Sequence, residues 1–383
     1  MSKNNNKCCK KTSIGGQALM EGIMMRGPIT TAMAVRNTSG EIVVEKFPTE
    51  SKKRASILKW PIIRGVAAYI DSMTLGTKCL MRSAEISGLE EAEEELRREK
   101  EAKKAAKAAK KAEKTLKKQG NSGQSTGSVK ADATDEDTTA ELEIIEEKSD
   151  EKNSKKKEGS STLGVMMPIV TVLSLGIAIL LFFVLPSYLF EWAQIPFTFL
   201  KNENEIIQSL IKSVFEGSFK VIILVGYMAC MLLMKDIRRT FQFHGAEHKT
   251  IFCYEAGLEL TVENVKKQRR FHPRCGTSFL ILMVLVSIFV SFCIDPIFLL
   301  TSGSVPPTAV RAVIRICLIP LIVGLGYELI KIAGKHDNFI TKIISAPGVW
   351  LQHITVLEPS DDMIECAIVA MKEVIPEDES DTL

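Results

Sequence analysis

Three of the chain's five histidines fall in one stretch, His244, His248 and His272, with Cys275 three residues beyond the last. Imidazole and thiolate are the commonest protein ligands for zinc and its neighbours. Such clustering in a histidine-poor chain of 383 residues is hard to assign to packing. His244-Gly245-Ala246-Glu247-His248 fits the pattern H-x-x-E-H, the inverted counterpart of H-E-x-x-H. On a helix, positions four apart share a face, so both imidazoles can reach one ion. Glu247, adjacent to that face, is placed to take a proton from a water activated there. Gly245 weakens the helix by up to ~1 kcal/mol.

A second element follows. His272-Pro273-Arg274-Cys275-Gly276 brings two more ligand types together in a constrained turn. Three protein ligands with an open fourth position suit catalysis, whereas His244, His248, His272 and Cys275 together form a closed, structural set. The sequence leaves both arrangements open. Glu328 is a further ligand candidate, lying in an apolar segment on the same side, with pairing to Arg or Lys as the alternative. Arg274 is a candidate for binding an anionic substrate group, with lipid phosphate as the competing partner. His336 and His353 are isolated and weaker candidates. Against the metal stands a hydrogen-bonded histidine network that stabilises the loop. Cys275 as a catalytic thiol lacks a base identifiable from sequence.

The elements that must hold these groups are largely apolar. Four segments are candidate spans: about 163–190, a second centred on 221–234, about 278–300, and about 310–333. The second is short of the ~20 apolar residues a span needs. It reaches full length if the helix begins near Ile206 and Lys220 and Lys235 snorkel. Pro320 is expected to kink the fourth. The histidine loop, 235–277, carries many Lys and Arg, and the loop after the third span (301–307) carries no charge. The positive-inside rule therefore puts the histidines in the cytoplasm, and four spans put both termini there too.

The expected fold is a mainly α integral membrane protein with about four transmembrane helices and a small N-terminal β-containing cytoplasmic region. Its parts are a disordered end (1–12), strands plus an amphipathic helix (13–88), a charged helical or disordered insert (89–160), the membrane domain (161–335) and a cytoplasmic C-terminal segment (336–383). Gly15-Gly16 and Arg26-Gly27-Pro28 signal turns, and Asn37 to Gly40 signals a hairpin joining Ala32–Val35 to Ile42–Val44. Apolar residues from 56 to 87 recur at helical spacing, for a helix either packed on the cytoplasmic domain or lying in the interface. The Ser/Thr/Asp/Glu/Lys-rich insert cannot bury enough surface to offset its ordering entropy. An amphipathic helix is expected over 361–374.

Composition excludes little else. A net charge of +3 with 25% charged residues gives no case for nucleic-acid binding. Nine scattered cysteines suit reduced thiols rather than a disulfide framework. No cleavable signal peptide is expected at the N-terminus.

Five motifs carry a resemblance: Ile14 to Pro28 (IGGQALMEGIMMRGP), Phe243 to Thr250 (FHGAEHKT), Phe271 to Phe279 (FHPRCGTSF), Gly326 to Leu329 (GYEL) and Leu357 to Asp362 (LEPSDD). In this order they closely resemble the YqhQ-like family of bacterial membrane proteins, built on a domain of unknown function. The similarity covers most of the chain outside the insert and the extreme ends. The family is often labelled a predicted metal-dependent enzyme without an established reaction. The resemblance implies motif roles for His244, Glu247, His248, His272, Arg274, Cys275 and Glu328, and for Glu21 and Arg26, which are expected to form an ion pair that positions the N-terminal strands, with a role in the metal site as the alternative. His353 stands where the family is expected to carry a basic residue, and the insert departs from the pattern.

The expectation is a multi-pass protein of the bacterial cell membrane holding a divalent, zinc-like metal at a cytoplasm-facing site. Its partners are the lipid bilayer and an unidentified protein. Its reaction would be metal-dependent hydrolysis of a membrane-associated substrate. The alternative is a non-enzymatic scaffold or assembly factor with a structural metal or histidine network. Transport is the weaker third reading, because beyond Glu328, Asp295, Arg311 and Arg315 few intramembrane charges are evident and no inverted repeat is seen.

Overall fold

Four short strands open the fold of the computed structural model, which describes residues 11–49, 58, 60–88, 170, 172–197, 204–335, 338–378, 380 and 381. The expected disorder before residue 11, the insert 89–160, the segment 161–169 and His336 lie outside the described residues. Residues 92–181 cluster as a unit of their own, and the rest of the chain forms the other.

Strands β1 (Gly15–Leu19), β2 (Gly22–Arg26), β3 (Thr30–Arg36) and β4 (Ile42–Pro48) form an antiparallel meander in chain order. The Arg26-Gly27-Pro28 turn joins β2 to β3, closed by the Gly27 N–H on the Thr30 carbonyl at 2.9 Å. The Asn37 to Gly40 turn joins β3 to β4, with Gly40 at φ 88° and Val35 opposite Val43. Gly15 and Gly16, expected to turn, instead sit in β1. Leu19 lies opposite Gly22, and Glu21 takes a left-handed φ of 50° in the connection between β1 and β2.

The helices follow as α1 (Ile63–Ile86), α2 (Val172–Ala193), α3 (Glu205–Met231), α4 (Lys235–Glu255), α5 (Val262–Lys266), α6 (Gly276–Ser302), α7 (Thr308–Cys317), α8 (Ile319–Lys335), α9 (Phe339–Thr355) and α10 (Asp361–Lys372). α2, α3 and α6 are long and apolar enough to span a membrane. α7 and α8 meet at 50° and only together are long and apolar enough to be a candidate fourth span. The break precedes Pro320, which is tolerated in the first turn of α8 because its missing N–H would be unpaired there anyway. The chain is a mainly α membrane protein with a small antiparallel sheet.

Period-two alternation explains how the sheet is covered on both faces. Ile23, Met25, Ala32 and Ala34 pack with Phe243 and Ile251 of α4 and with Met363, Ile364 and Ala367 of α10. Met24, Met33 and Val35 point the other way and pack with Leu19 and with Cys79 of α1. α1 therefore packs on the domain, while Trp60, Ile70 and Met73 stay exposed along it. Its start rests on α8, where Gly324 and Gly65 leave room for Ile62 and for the Tyr327 ring.

The C-terminal segment does not stay wholly apart from the bundle. α9 packs on α6 and α3 through Leu351, beside Leu224 and Ile281, and Gly348 lies against Ser278. It exposes Phe339, Ile340, Ile343 and Trp350.

Candidate metal centre

α4 is a polar helix placed at the centre of the module outside the spans. Five residues in succession, Ala246 to Thr250, are buried, four of them polar or charged. Burying polar side chains costs free energy unless partners receive them, so the partners define the site. The helix tolerates Gly245 for a packing reason: a Cβ there would overlap the Leu357 carbonyl, which passes directly over it.

His244 and His248, one turn apart, bring their ring centroids to 4.5 Å. Each ring is fixed by a backbone carbonyl. His248 Nδ1–H donates to the Arg270 carbonyl at 2.6 Å, and His244 Nδ1–H donates to the Thr355 carbonyl at 2.9 Å. A carbonyl only accepts, so both rings carry a proton on Nδ1 and leave Nε2 as the nitrogen that a metal, or on His244 a second proton, would occupy. His244 Nε2 lies 3.0 Å from Cys275 Sγ, and His248 Nε2 is buried with no hydrogen-bond partner among the described residues. Cys275 caps the N-terminus of α6, its sulfur accepting the Thr277 N–H at 3.4 Å. One ligand atom from each of His244, His248 and Cys275 lies within 4.8 Å of the other two.

Glu247 stands beside this group. Its Oε1 accepts the Gly16 N–H at 3.0 Å, and its Oε2 is buried without a partner among the described residues. A Cβ on Gly16 would come 2.9 Å from that carboxyl, so the glycine makes room for it. Burial raises the Glu247 pKa, against the nearby His244 and His248, which favour the charged form. Burial likewise opposes charge on His244, but the Cys275 thiolate outweighs it and lifts the imidazole to about 9. Burial also works against the Cys275 thiolate, yet His244 and His248 hold the thiol well below its usual value.

His272 lies one ring further out, its centroid 5.6 Å from that of His248. Both of its nitrogens are engaged elsewhere. Nδ1 accepts the Arg274 N–H at 3.2 Å, and Nε2 faces Glu255 at 3.8 Å. Its backbone is clamped by Gln352, which accepts the His272 N–H at 2.8 Å and donates to its carbonyl at 2.7 Å. The structure thus places His272 against Glu255 rather than with the His244, His248 and Cys275 atoms. Glu328 is also elsewhere, on Arg64, with Nε to Oε1 at 2.6 Å and a second contact through Nη2. Arg274 pairs with Glu255 and donates to the Thr12 carbonyl at 2.7 Å. Glu21 pairs with Arg239 of α4 instead of Arg26. His353 is on the surface, its Nδ1 donating to the Trp350 carbonyl at 2.9 Å.

Sequence reasoning missed Glu255 and the carbonyls of Arg270 and Thr355. Glu255 had a signal: it follows His248 by two helical turns and so shares its face. The carbonyls had none, because a backbone acceptor is independent of residue type.

The family model for proteins of unknown function numbered DUF1385 matches residues 60–377. The chain is also 30% identical over 365 residues to the uncharacterized protein YqhQ of Bacillus subtilis (strain 168), covering 94% of this chain and 92% of that one. The chain belongs to the DUF1385 family. No solved structure matches it. Membership in DUF1385 assigns no reaction, so the chemistry of this member has to come from its own side chains. β1 to β4 precede the stretch matched by the family model, but the likeness to YqhQ runs over nearly the whole chain.

Proposed function

We propose that His244, His248 and Cys275 hold a divalent, zinc-like cation, and that the protein is a metal-dependent hydrolase acting on a membrane-associated substrate. The observation that carries the reading is the pair of imidazoles, each anchored by a carbonyl on Nδ1, with one ligand atom from each ring and the Cys275 sulfur within 4.8 Å of one another. An imidazole pre-oriented by a hydrogen bond on its other nitrogen is the usual outer-shell arrangement of a metal ligand. Two nitrogens and one sulfur suit zinc, and three protein ligands leave a fourth position for water.

A zinc-like ion bound there would supply Lewis acidity for hydrolysis. Glu247 would act as the base, taking the proton of the attacking water on Oε2 and returning it to the leaving group. Its raised proton affinity suits that exchange. The Gly16 N–H holds Oε1 and leaves Oε2, buried and without a partner among the described residues, as the oxygen for the proton. The membrane assignment of the substrate follows from place: Cys275 caps a helix long and apolar enough to span a membrane.

The burial of Glu247, His248 and Cys275, each 5% exposed or less, favours a second reading, a structural metal in a non-enzymatic scaffold or assembly factor. One experiment separates them. Elemental analysis of the detergent-purified full-length protein is expected to find about one zinc-like ion per chain. His244→Ala and His248→Ala lose it, and Glu247→Gln keeps it while abolishing the cellular phenotype of the gene. Metal-bound Glu247→Gln protein with an intact phenotype selects the scaffold. Folded, metal-free wild-type protein ends both and leaves the Cys275–His244 pair as an activated thiol, which iodoacetamide would then alkylate.

A further inference from the structure

The far end of the bundle holds five ionisable groups that the metal centre does not use. Lys220 of α3, Arg311 and Arg315 of α7, Glu216 of α3 and Asp295 of α6 are each 4% exposed or less. Asp295 lies about five helical turns from Gly276, so roughly 28 Å separates this cluster from the start of α6. Two of the cations are paired. Arg315 Nη1 meets Glu216 at 2.6 Å, and Arg311 Nη2 meets Asp295 at 2.7 Å. Ser187 donates to Glu216 at 2.6 Å, and Ser209 donates to Asp295.

Lys220 is left over. Among the described residues no carboxylate pairs with it, and its Nζ sits over the Phe183 ring at 5.5 Å. Three buried cations thus face two buried carboxylates. The surplus is accompanied by unspent donors: Arg311 Nε and Nη1, Arg315 Nε and Ser213 Oγ are buried without hydrogen-bond partners among the described residues, as are two acceptors, Glu216 Oε2 and Asp295 Oδ1, so donors outnumber acceptors. An uncompensated charge and unpaired guanidinium N–H groups in an apolar bundle are both costly, and one oxyanion answers both. Planar guanidinium donors match the oxygens of a phosphate.

We propose that the cluster formed by Lys220, Arg311, Arg315 and Ser213 binds a singly charged phosphate-class oxyanion. A bilayer supplies that chemistry as a lipid phosphodiester, and solution supplies it as inorganic phosphate. Lys220 provides the charge that selects an anion, and the open guanidinium edges of Arg311 and Arg315 provide its hydrogen bonds.

The test is the unfolding temperature of full-length protein in non-ionic detergent. It is titrated with inorganic phosphate, with phosphatidylglycerol in mixed micelles, and with potassium chloride and diacylglycerol as controls. A ligand at about a hundredfold excess over its Kd is expected to raise the transition by roughly 5 °C. A rise with phosphatidylglycerol alone identifies the lipid; a rise with inorganic phosphate as well identifies the free anion. Lys220→Met loses the rise and in ligand-free solution melts no lower than wild type. Lys220→Arg retains the rise, which guards against a folding defect in the first variant. No rise with either phosphate probe, or a rise undiminished in folded Lys220→Met, overturns the proposal.

Discussion

Glu255 ties the outer edge of the histidine cluster together. It receives the Thr12 N–H at 3.0 Å and pairs with Arg274, and His272 faces it. Burial works against its charge, but His272 and Arg274 together hold the carboxyl below its ordinary value. A depressed carboxyl pKa contributes stability that is fully present above the unfolded value, about 4.3, and is lost as pH falls through the folded value. His272 acts in the same direction: burial lowers its pKa, so acidification below about 6.5 protonates the unfolded chain before the folded one. Glu255→Gln leaves the Arg274 guanidinium without its carboxylate and is expected to cost roughly 3 kcal/mol at pH 7. Thermal melts of the two proteins should converge as the pH drops below about 4. A gap that stays constant down to pH 3 would mean that Glu255 contributes shape and not charge. The four-residue spacing of His244 and His248, and the nearby Cys275, were legible because they lie on adjacent turns and at one helix cap. Partners such as Gly16, 231 positions from Glu247, were not, because local sequence carries no trace of so distant a contact.

At the scale of elements, local signals succeeded wherever a local conformation decides the outcome. The β3–β4 hairpin was readable because a tight turn needs the left-handed φ that Gly40 adopts, and α6 because its apolar run is long enough to span alone. They failed where packing decides. Gly15-Gly16 reads as a turn, but pairing with β2 and the approach of Glu247 make it strand. Lys220 reads as a snorkelling flank, but α3 runs from Glu205 to Met231 and turns Ser209, Ser213, Glu216 and Lys220 into the bundle. The contact between α1 and α8 was equally hidden. Ile62, a β-branched residue at φ 71°, is held there against Gly324, and Arg64 reaches Glu328 two residues on. A left-handed β-branched residue costs on the order of 1–3 kcal/mol and persists only where its neighbours impose it. Gly324→Ala would place a Cβ 2.7 Å from the Ile62 carbonyl oxygen, with no flexible side-chain tip to yield. The expected penalty is about 1–3 kcal/mol, read as a lower unfolding temperature and faster proteolysis after residue 58. A Gly324→Ala protein that melts with wild type would show that α1 docks through the sheet alone.

The whole molecule places two polar clusters at opposite ends of α6, the histidine group at its start and the Asp295–Arg311 pair near its finish. A protein with spanning helices must put these clusters on different sides, so the orientation of α6 decides which compartment each one serves. By the positive-inside rule the basic stretch 235–277 and the uncharged loop around Ser304 predict a cytoplasmic histidine centre, an expectation open to direct test. The broken α7–α8 pair tests the count of spans as well as their direction. If it crosses, α8 returns the chain to the side of the histidines, which the approach of its final turn to Arg274 requires: a Cβ on Gly334 would lie 3.2–3.4 Å from that side chain. Reporter fusions read this directly. Alkaline phosphatase inserted at Ser304 should be active, since it folds only outside the cytoplasm. Green fluorescent protein fused after the last residue should fluoresce, since it folds inside. Active phosphatase with a dark C-terminus, or silent phosphatase with a fluorescent one, would put Ser304 and the C-terminus on one side, and cannot be reconciled with a centre at the start of α6 that shares its compartment with α10. Phosphatase silent at Ser304 and a dark C-terminus would invert the protein, place the thiolate of Cys275 in an oxidising compartment and set aside a cytoplasmic substrate.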